Sequence, residues 1–104
     1  MGTEDKRVVQ GYVFTWDAQK ADTNLKKHDV SFLEALDVLF DPYYYAEDAS
    51  VAGEERYAVV GHSKKERLLC VVVKDEGYEA WRIISARPAT PQERLRYEEE
   101  TDSR

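Results

Sequence analysis

The chain has 104 residues, 42% of them hydrophobic and 35% charged, and its formal net charge is −6. These fractions are typical of a single folded domain, and they exclude a long disordered chain and a membrane-spanning one. The acidic balance is unusual for a protein that binds nucleic acid, because contacts to phosphate favour basic surfaces.

The first predicted elements are a strand and a helix. The segment Gly11–Trp16 is aromatic and β-branched, which is typical of a strand. Asp17 is then a suitable N-cap for a helix that runs to about His28. Lys20 and Lys27 lie on the polar face of this helix.

A second helix follows directly. Ser31, with Glu34 three residues later, predicts a capping box. An apolar stripe at helical spacing consists of Phe32, Ala35, Leu36, Leu39 and Phe40. Asp41-Pro42 ends the helix, because a residue before proline is disfavoured in helical geometry. From Tyr43 to Gly53 we expect an exposed, irregular loop.

Three strands follow at hairpin spacing, and they predict an antiparallel meander over Arg56–Gly61, Arg67–Lys74 and Tyr78–Ala86. The run Leu68–Val73 is apolar on both faces, so the middle strand should be central. In the last strand, regular alternation places Arg82 and Arg87 on opposite faces of the sheet.

A short helix closes the predicted domain. Thr90-Pro91-Gln92-Glu93 combines a capping box with proline at the first helical position. The predicted order is β-α-α-β-β-β-α, an α+β fold with an antiparallel sheet flanked by helices. We expect a flexible N-terminus over 1–10, one domain over 11–97 and a frayed acidic tail over 98–104.

The charges are unevenly distributed along the chain. The stretch Asp41–Glu55 holds five acids and no base, whereas Arg56–Arg87 holds seven bases and four acids. Part of the predicted sheet can therefore be basic on an acidic body. Met1–Arg7 is polar and Cys70 is the single cysteine, so we expect a cytoplasmic protein without a signal peptide or a membrane partner.

Several ordered motifs between Gly11 and Tyr97 resemble the BrnT family of toxins. They include Phe14-Thr15-Trp16-Asp17, Lys27-His28-Asp29-Val30-Ser31-Phe32-Leu33-Glu34-Ala35, Phe40-Asp41-Pro42, Glu54-Glu55-Arg56 and Arg82-Ile83-Ile84-Ser85-Ala86-Arg87. The resemblance implies a fold like that of the RelE-type toxins. It also implies a ribonuclease that acts on RNA and is neutralised by a DNA-binding antitoxin, so that DNA is contacted only through that partner.

Cleavage of RNA without a metal requires a proton acceptor, a proton donor and cations at the phosphate. On the resemblance, we predict a catalytic group of Arg67, Arg82, Arg87, Lys27 and His28. Arginine suits the phosphate because its planar fork binds oxygens in pairs. The alternatives are that the arginines are charges at the sheet edge or partners of Glu54 and Glu55, and that His28 is a packed or capping residue.

Further candidates are contacts to RNA and to the antitoxin. Arg56, Lys20, Trp16 and Tyr97 are predicted to bind RNA. The rings of Trp16, Trp81 and Tyr57 are candidates for stacking on bases, although core packing is commoner for such aromatics. Tyr43, Tyr44 and Tyr45 form a predicted antitoxin-binding patch. Glu93 is a possible general base, but its capping position already explains it.

No cofactor is expected, and the two histidines and one cysteine show no metal-ligand spacing. The alternative function is a non-catalytic protein of the same fold, which binds the antitoxin and takes part in repression of their operon.

Overall fold

The computed structural model describes residues 3–103, which form three helices and six strands. In chain order these are β1 (Glu4–Val9), β2 (Tyr12–Asp17), α1 (Ala18–His28), α2 (Phe32–Leu39), β3 (Tyr45–Asp48), β4 (Arg56–His62), β5 (Leu68–Gly77), β6 (Ala80–Pro88) and α3 (Pro91–Asp102). None of the helices in this part of the chain has the length and apolar character that a bilayer crossing requires.

The six strands form one mixed sheet in the order β1-β2-β6-β5-β4-β3. The predicted α+β class is confirmed, and β5 is central, as its apolar run indicates. The prediction of a purely antiparallel sheet is wrong, because β2 pairs with β6 in parallel through Val13–Ala80, Phe14–Trp81 and Thr15–Arg82. Sequence periodicity carries no information about strand direction.

Two segments predicted to be irregular form edge strands. Glu4–Val9 is β1, in antiparallel pairing with β2, so the predicted flexible N-terminus is wrong there, while residues 1–2 lie outside the described chain. Tyr45–Asp48 is β3, within the predicted loop. The segment predicted to fray after Tyr97 continues α3 to Asp102. Edge strands depend on pairing with a neighbour more than on their own apolar pattern, which explains the omission.

Helices α1 and α2 cover one face of the sheet, which we call the helix-covered face. The main core lies between these helices and the sheet. It includes Phe32, Val38, Leu69, Val71 and Ile83, each at most 3% exposed. On the opposite face, which we call the open face, α3 covers one end. There Tyr97 packs against Tyr45, Val60, Leu68 and Cys70.

A β-bulge in β6 determines which side chains the open face carries. Val72 pairs with Ser85, but Val73 pairs with Ile83, so Ile84 is an extra residue. This residue shifts the alternation by one, and Arg82 and Arg87 therefore lie on the same open face. The prediction that they lie on opposite faces is wrong because it assumed a regular strand.

The helix caps follow the sequence with one exception. Asp17 accepts a hydrogen bond from Lys20 N at 2.9 Å, and Thr90 and Glu93 form the predicted capping box. Ser31 caps α2 by accepting from Glu34 N at 3.0 Å. The Glu34 carboxylate, however, does not return to the cap, since it is engaged by Arg67 and Ser63.

Candidate functional site

Two predicted catalytic arginines lie at the end of the sheet where β5 begins and β6 ends. Arg87 pairs with Cys70, and Arg67 precedes Cys70 by three residues, so their Cα atoms are about 11 Å apart. The last turn of α1, with Lys27 and His28, ends beside Arg67, which donates through Nη2 to the carbonyl oxygen of Asp29. We call these four residues the strand-end site.

The position of α1 is fixed by a buried polar residue that sequence reasoning did not select as functional. Asn24 is 7% exposed; its amide nitrogen donates to the carbonyl oxygens of Ala86 at 2.8 Å and Val30 at 2.9 Å. Its amide oxygen accepts from Ala86 N at 3.1 Å. Asn24 therefore ties α1 to β6 directly beside Arg87, and its place on a polar stripe of the helix gave no sign of burial.

Arg87 forms a two-point ion pair with Glu93 of α3. Nη1 donates to Oε1 at 2.8 Å and Nη2 donates to Oε2 at 3.0 Å, while 39% of the Arg87 side chain stays exposed. The guanidinium lowers the pKa of Glu93 to about 2. A carboxylate in this position occupies the same pair of donors that two phosphate oxygens would take.

This ion pair predicts a loss of stability in acid. The pKa of Glu93 falls from its ordinary value near 4.5 to about 2 on folding, so its stabilising effect is present above pH 4.5 and is lost as the pH falls towards 2. Because the pair is partly exposed, we expect a loss of about 2 kcal/mol in the free energy of unfolding. Urea unfolding at several pH values measures it.

Glu93→Gln should flatten that part of the pH dependence, because glutamine does not titrate. The matched control is Glu98→Gln on the exposed surface of α3, which should leave the profile as it is. Parallel profiles for the wild type and Glu93→Gln would contradict the assignment.

Arg67 is paired with a more deeply buried carboxylate than Arg87 is. Its Nε donates to Glu34 Oε2 at 2.9 Å, its Nη2 donates to Glu34 Oε1 and to the carbonyl oxygen of Asp29, and Ser63 Oγ donates to Glu34 Oε2 at 2.7 Å. Glu34 is 6% exposed. Hydrogen bonding from Arg67 lowers the pKa of Glu34, so this carboxylate stays charged. The pair joins α2 to the start of β5.

One nitrogen of Arg67 remains outside this network. Nη1 has a long ion pair, 3.9 Å, with the carboxylate of Asp29, a side chain that is 95% exposed. The last turn of α1 is open as well, since Lys27 and Lys20 are exposed and His28 is half-buried. These groups lie on the helix side of the sheet end, whereas Arg87 lies on the open face.

The other two arginines lie elsewhere on the open face. Arg82 is separated from Arg87 along β6 by about 13 Å, and its Nη1 donates to Glu4 at 2.5 Å. Arg56 donates to Glu54 through Nε at 3.0 Å and Nη2 at 2.6 Å. The four arginines Arg56, Arg67, Arg82 and Arg87 are therefore not gathered into one pocket, and each is paired with a carboxylate. For Arg56 the partner is Glu54, as the alternative prediction stated.

Trp16 and Tyr97, the two aromatic residues predicted to bind RNA, are both buried. Trp16 is 3% exposed and packs edge-to-face on Phe32, with ring centroids 6.1 Å apart. Tyr97 is 7% exposed and donates its hydroxyl to Asp41 at 2.7 Å. A buried ring has no free face for a base, so the prediction that these two residues contact RNA is wrong.

Asp41 is a second polar anchor that the sequence did not reveal. Its carboxylate also accepts from the backbone N–H groups of His62 and Tyr43, at 2.7 and 2.8 Å. Although burial acts in the other direction, these hydrogen bonds lower the pKa of Asp41. Asp41 thus ties the end of α2 to β4 and α3. A Cβ on Gly61 would lie 3.0 Å from this carboxylate, which explains the glycine.

The predicted tyrosine patch divides between surface and core. Tyr43 and Tyr44 are 48% and 44% exposed, but Tyr45 is 5% exposed, beneath the guanidinium of Arg96. Tyr44 lines an apolar groove of about 590 Å³ on the helix-covered face. Its other aromatic walls are Tyr12, Phe14, Phe40, Tyr57 and Trp81. Tyr45 does not belong to an accessible patch, because β3 turns it towards α3.

Within residues 3–103 there is no cluster of three or more His, Cys, Asp or Glu side chains that would hold a metal ion. Burial raises the pKa of the Cys70 thiol to about 11, so this cysteine is a core residue and not a thiolate nucleophile.

Comparisons with known proteins agree with this fold. Residues 16–93 match the family model described as the ribonuclease toxin BrnT of type II toxin–antitoxin systems. The structure is similar to the crystal structure of the Brucella abortus ribonuclease toxin BrnT, with a TM-score of 0.58 and 26% identity. That match covers 72% of this chain and 92% of the Brucella chain. No curated protein sequence matches this chain.

Proposed function

The chain belongs to the BrnT family of ribonuclease toxins of type II toxin–antitoxin systems, and from this premise we propose that it is a metal-independent endoribonuclease whose strand-end site binds the scissile phosphate. The observation that carries the proposal is the geometry and exposure of the Arg87 guanidinium. Its guanidinium fork is half-exposed and already holds an oxygen pair of phosphate-like geometry.

The reaction is attack of a ribose 2′-hydroxyl on the adjacent phosphorus. The 2′-oxygen–phosphorus bond forms and the bond from phosphorus to the 5′-oxygen breaks, which leaves a 2′,3′-cyclic phosphate and a 5′-hydroxyl. The proton of the 2′-hydroxyl passes to a base, and the departing 5′-oxygen takes a proton from an acid. Negative charge accumulates on the phosphorane, where arginine donors are most effective.

The roles follow from the placement of each side chain. Arg87 binds the phosphorane through two nitrogens, and Arg67 contributes Nη1 from the other side of the sheet end. Lys27 supplies a further cation, and His28 supplies an imidazole as the proton donor or acceptor. Lys20, exposed on α1, binds the RNA backbone beyond the site. We assign Arg82 and Arg56 to binding of RNA, since both lie too far along the strands to reach the same phosphate.

The carboxylates that hold the arginines do not prevent this activity. Replacing Glu93 at Arg87 gives up the pair's contribution of about 2 kcal/mol, and this loss is offset because the same two guanidinium donors bond to the phosphate oxygens. The Arg67–Glu34 pair is different: because Glu34 is buried, Arg67 stays paired with it and offers only Nη1 to a phosphate.

The second candidate is the non-catalytic, antitoxin-binding protein. The net charge of −6 and the pairing of all four arginines with carboxylates favour it. It requires only the fold and a docking surface, and it predicts that the chain is harmless when expressed alone.

For the partner, we propose a DNA-binding antitoxin in the cytoplasm that docks an apolar segment in the groove beside Tyr43 and Tyr44. Such an antitoxin is expected to be basic, and the segment Asp41–Glu55, which contributes Tyr44 and Ala46 to the groove, holds five acids and no base. In this proposal the antitoxin alone contacts DNA. We also propose that the fold of the chain is RelE-like.

One experiment separates the two candidates. Expression of the chain alone should arrest growth, co-expression of its antitoxin should restore it, and the purified protein should cleave single-stranded RNA equally well with and without EDTA. The variant Tyr44→Ser should remain toxic but need more antitoxin for rescue, whereas Leu95→Ser, also exposed and on α3, should not differ from the wild type. Normal growth together with intact RNA would leave only the binding protein, and loss of cleavage in EDTA would contradict metal independence.

A further inference from the structure

Four basic side chains form a straight row across the strands of the open face. Lys6 on β1 pairs with Thr15, Thr15 with Arg82, Arg82 with Lys74 on β5, and Lys74 with Arg56 on β4. We call Lys6, Arg82, Lys74 and Arg56 the cationic row. Neighbouring strands are about 4.8 Å apart, so the row is about 19 Å long.

The row projects from one face, as its contacts show. Arg82 binds Glu4 of β1, two residues before Lys6, and Lys74 and Arg56 both bind Glu54. Arg7 and Val9, the alternate residues of β1, turn to the helix side, where Arg7 lies over Trp16 and Val9 packs on the core. Helix α3 packs on the opposite end of the face, against Val60, Leu68 and Cys70, and does not cover the row.

We propose that the cationic row binds the sugar–phosphate backbone of the RNA strand on one side of the scissile phosphate, a role that rests on the proposed ribonuclease function. Four cations in one line across five strands match a linear polyanion better than a compact ligand, although Thr15 separates Lys6 from Arg82 by two strand spacings. The row and Arg87 share the open face, about 13 Å apart along β5 and β6, so one strand of RNA reaches both.

Three carboxylates accompany the four cations in the free chain. They are Glu4 at Arg82, Glu54 between Arg56 and Lys74, and Glu76 at Lys74, where the Nζ–Oε distance is 3.8 Å. RNA phosphates must replace these groups when they bind. The acids therefore compete with RNA, and removal of one of them should strengthen binding. A row whose only purpose is to stabilise the sheet makes no such prediction.

The test uses a labelled oligouridylate of about ten nucleotides with 2′-O-methyl groups, which cannot be cleaved, and measures fluorescence anisotropy against salt. Lys74→Ala and Lys6→Ala should each weaken binding about three- to tenfold and lower the slope of log K against log salt by about 0.7. The matched control is Lys26→Ala, an exposed lysine paired with Asp22 on α1, which should bind like the wild type.

Removal of an acid, in place of a base, gives the more discriminating result, because binding should become tighter. Glu54→Gln should tighten binding about three- to tenfold, because it frees Arg56 and Lys74 together, and the matched control Asp22→Asn should have no effect. The proposal is overturned if the Lys74 and Lys6 variants equal Lys26→Ala, or if Glu54→Gln binds no better than Asp22→Asn. It is also overturned if these variants change affinity for the antitoxin and not for RNA.

Cleavage kinetics separate this proposal from the proposed function. Lys74→Ala should raise KM about three- to tenfold and leave kcat unchanged, because a contact remote from the reacting phosphorus stabilises ground and transition states equally. Absence of cleavage in the wild type, with row-dependent binding intact, would refute the ribonuclease and retain the row. Normal cleavage with no KM effect would do the reverse.

Discussion

Arg87→Ala is expected to lower kcat for RNA cleavage by about two to three orders of magnitude, the effect of removing a donor aimed at charge that develops in a transition state. Of the two arginines at the strand-end site, Arg87 has the more accessible carboxylate partner, since the side chain of Glu93 is 22% exposed and that of Glu34 is 3% exposed. Single-turnover cleavage of a short RNA measures the loss, and relief of growth arrest reports it in cells.

Three comparisons make that result specific. Arg94→Ala removes the same charge from an exposed position of α3 and should keep full activity. Arg87→Lys preserves the charge but not the fork, so it should recover only part of the rate. The thermal midpoint of Arg87→Ala must stay well above the assay temperature. Wild-type kcat in a folded Arg87→Ala protein would remove Arg87 from catalysis.

Arg67→Ala is expected to destabilise the fold by about 3 kcal/mol, a large fraction of the stability of a small domain. The reason is that the substitution leaves the charge of Glu34 buried without its cation. Only Ser63 then remains as a side-chain donor to Glu34. The estimate lies at the low end for a broken buried pair because 35% of the Arg67 side chain is exposed. Urea unfolding measures the change.

A second substitution identifies the cause. Adding Glu34→Gln to Arg67→Ala removes the unpaired charge, so the double variant should be more stable than Arg67→Ala alone. Lys64→Ala, on an exposed neighbouring turn, should change stability by less than about 0.5 kcal/mol. If the double variant were the less stable, burial of the Glu34 charge would not be the cause. Loss of toxicity in Arg67→Ala alone therefore does not establish a catalytic role.

Local signals predicted most of the regular structure. The caps at Asp17, Ser31 and Thr90 gave the starts of all three helices within residues 3–103, because a cap depends on side chains within one turn. The apolar run Leu68–Val73 gave the central strand, since it needs cover on both faces. The family resemblance indicated the type of protein, which periodicity alone does not provide.

What remained hidden depends on contacts between distant segments. The parallel pairing of β2 with β6 and the strand β1 have no signature in their own residues. The extra residue Ile84 reversed the expected faces of Arg82 and Arg87, and no local pattern marks a bulge. The partner of Arg82 was equally invisible, because Glu4 and Arg82 are 78 residues apart.

The Glu93 carboxylate accepts hydrogen bonds from Arg87 and from the backbone of Thr90, and a substrate can replace it only at Arg87. Its Oε1 accepts from Thr90 N at 2.9 Å as well as from Arg87, whereas Oε2 receives its bond from Arg87. When a phosphate occupies Arg87, the contact with Thr90 can persist. The first turn of α3 then keeps its cap during turnover, so RNA can enter and leave without local unfolding of the C-terminal helix.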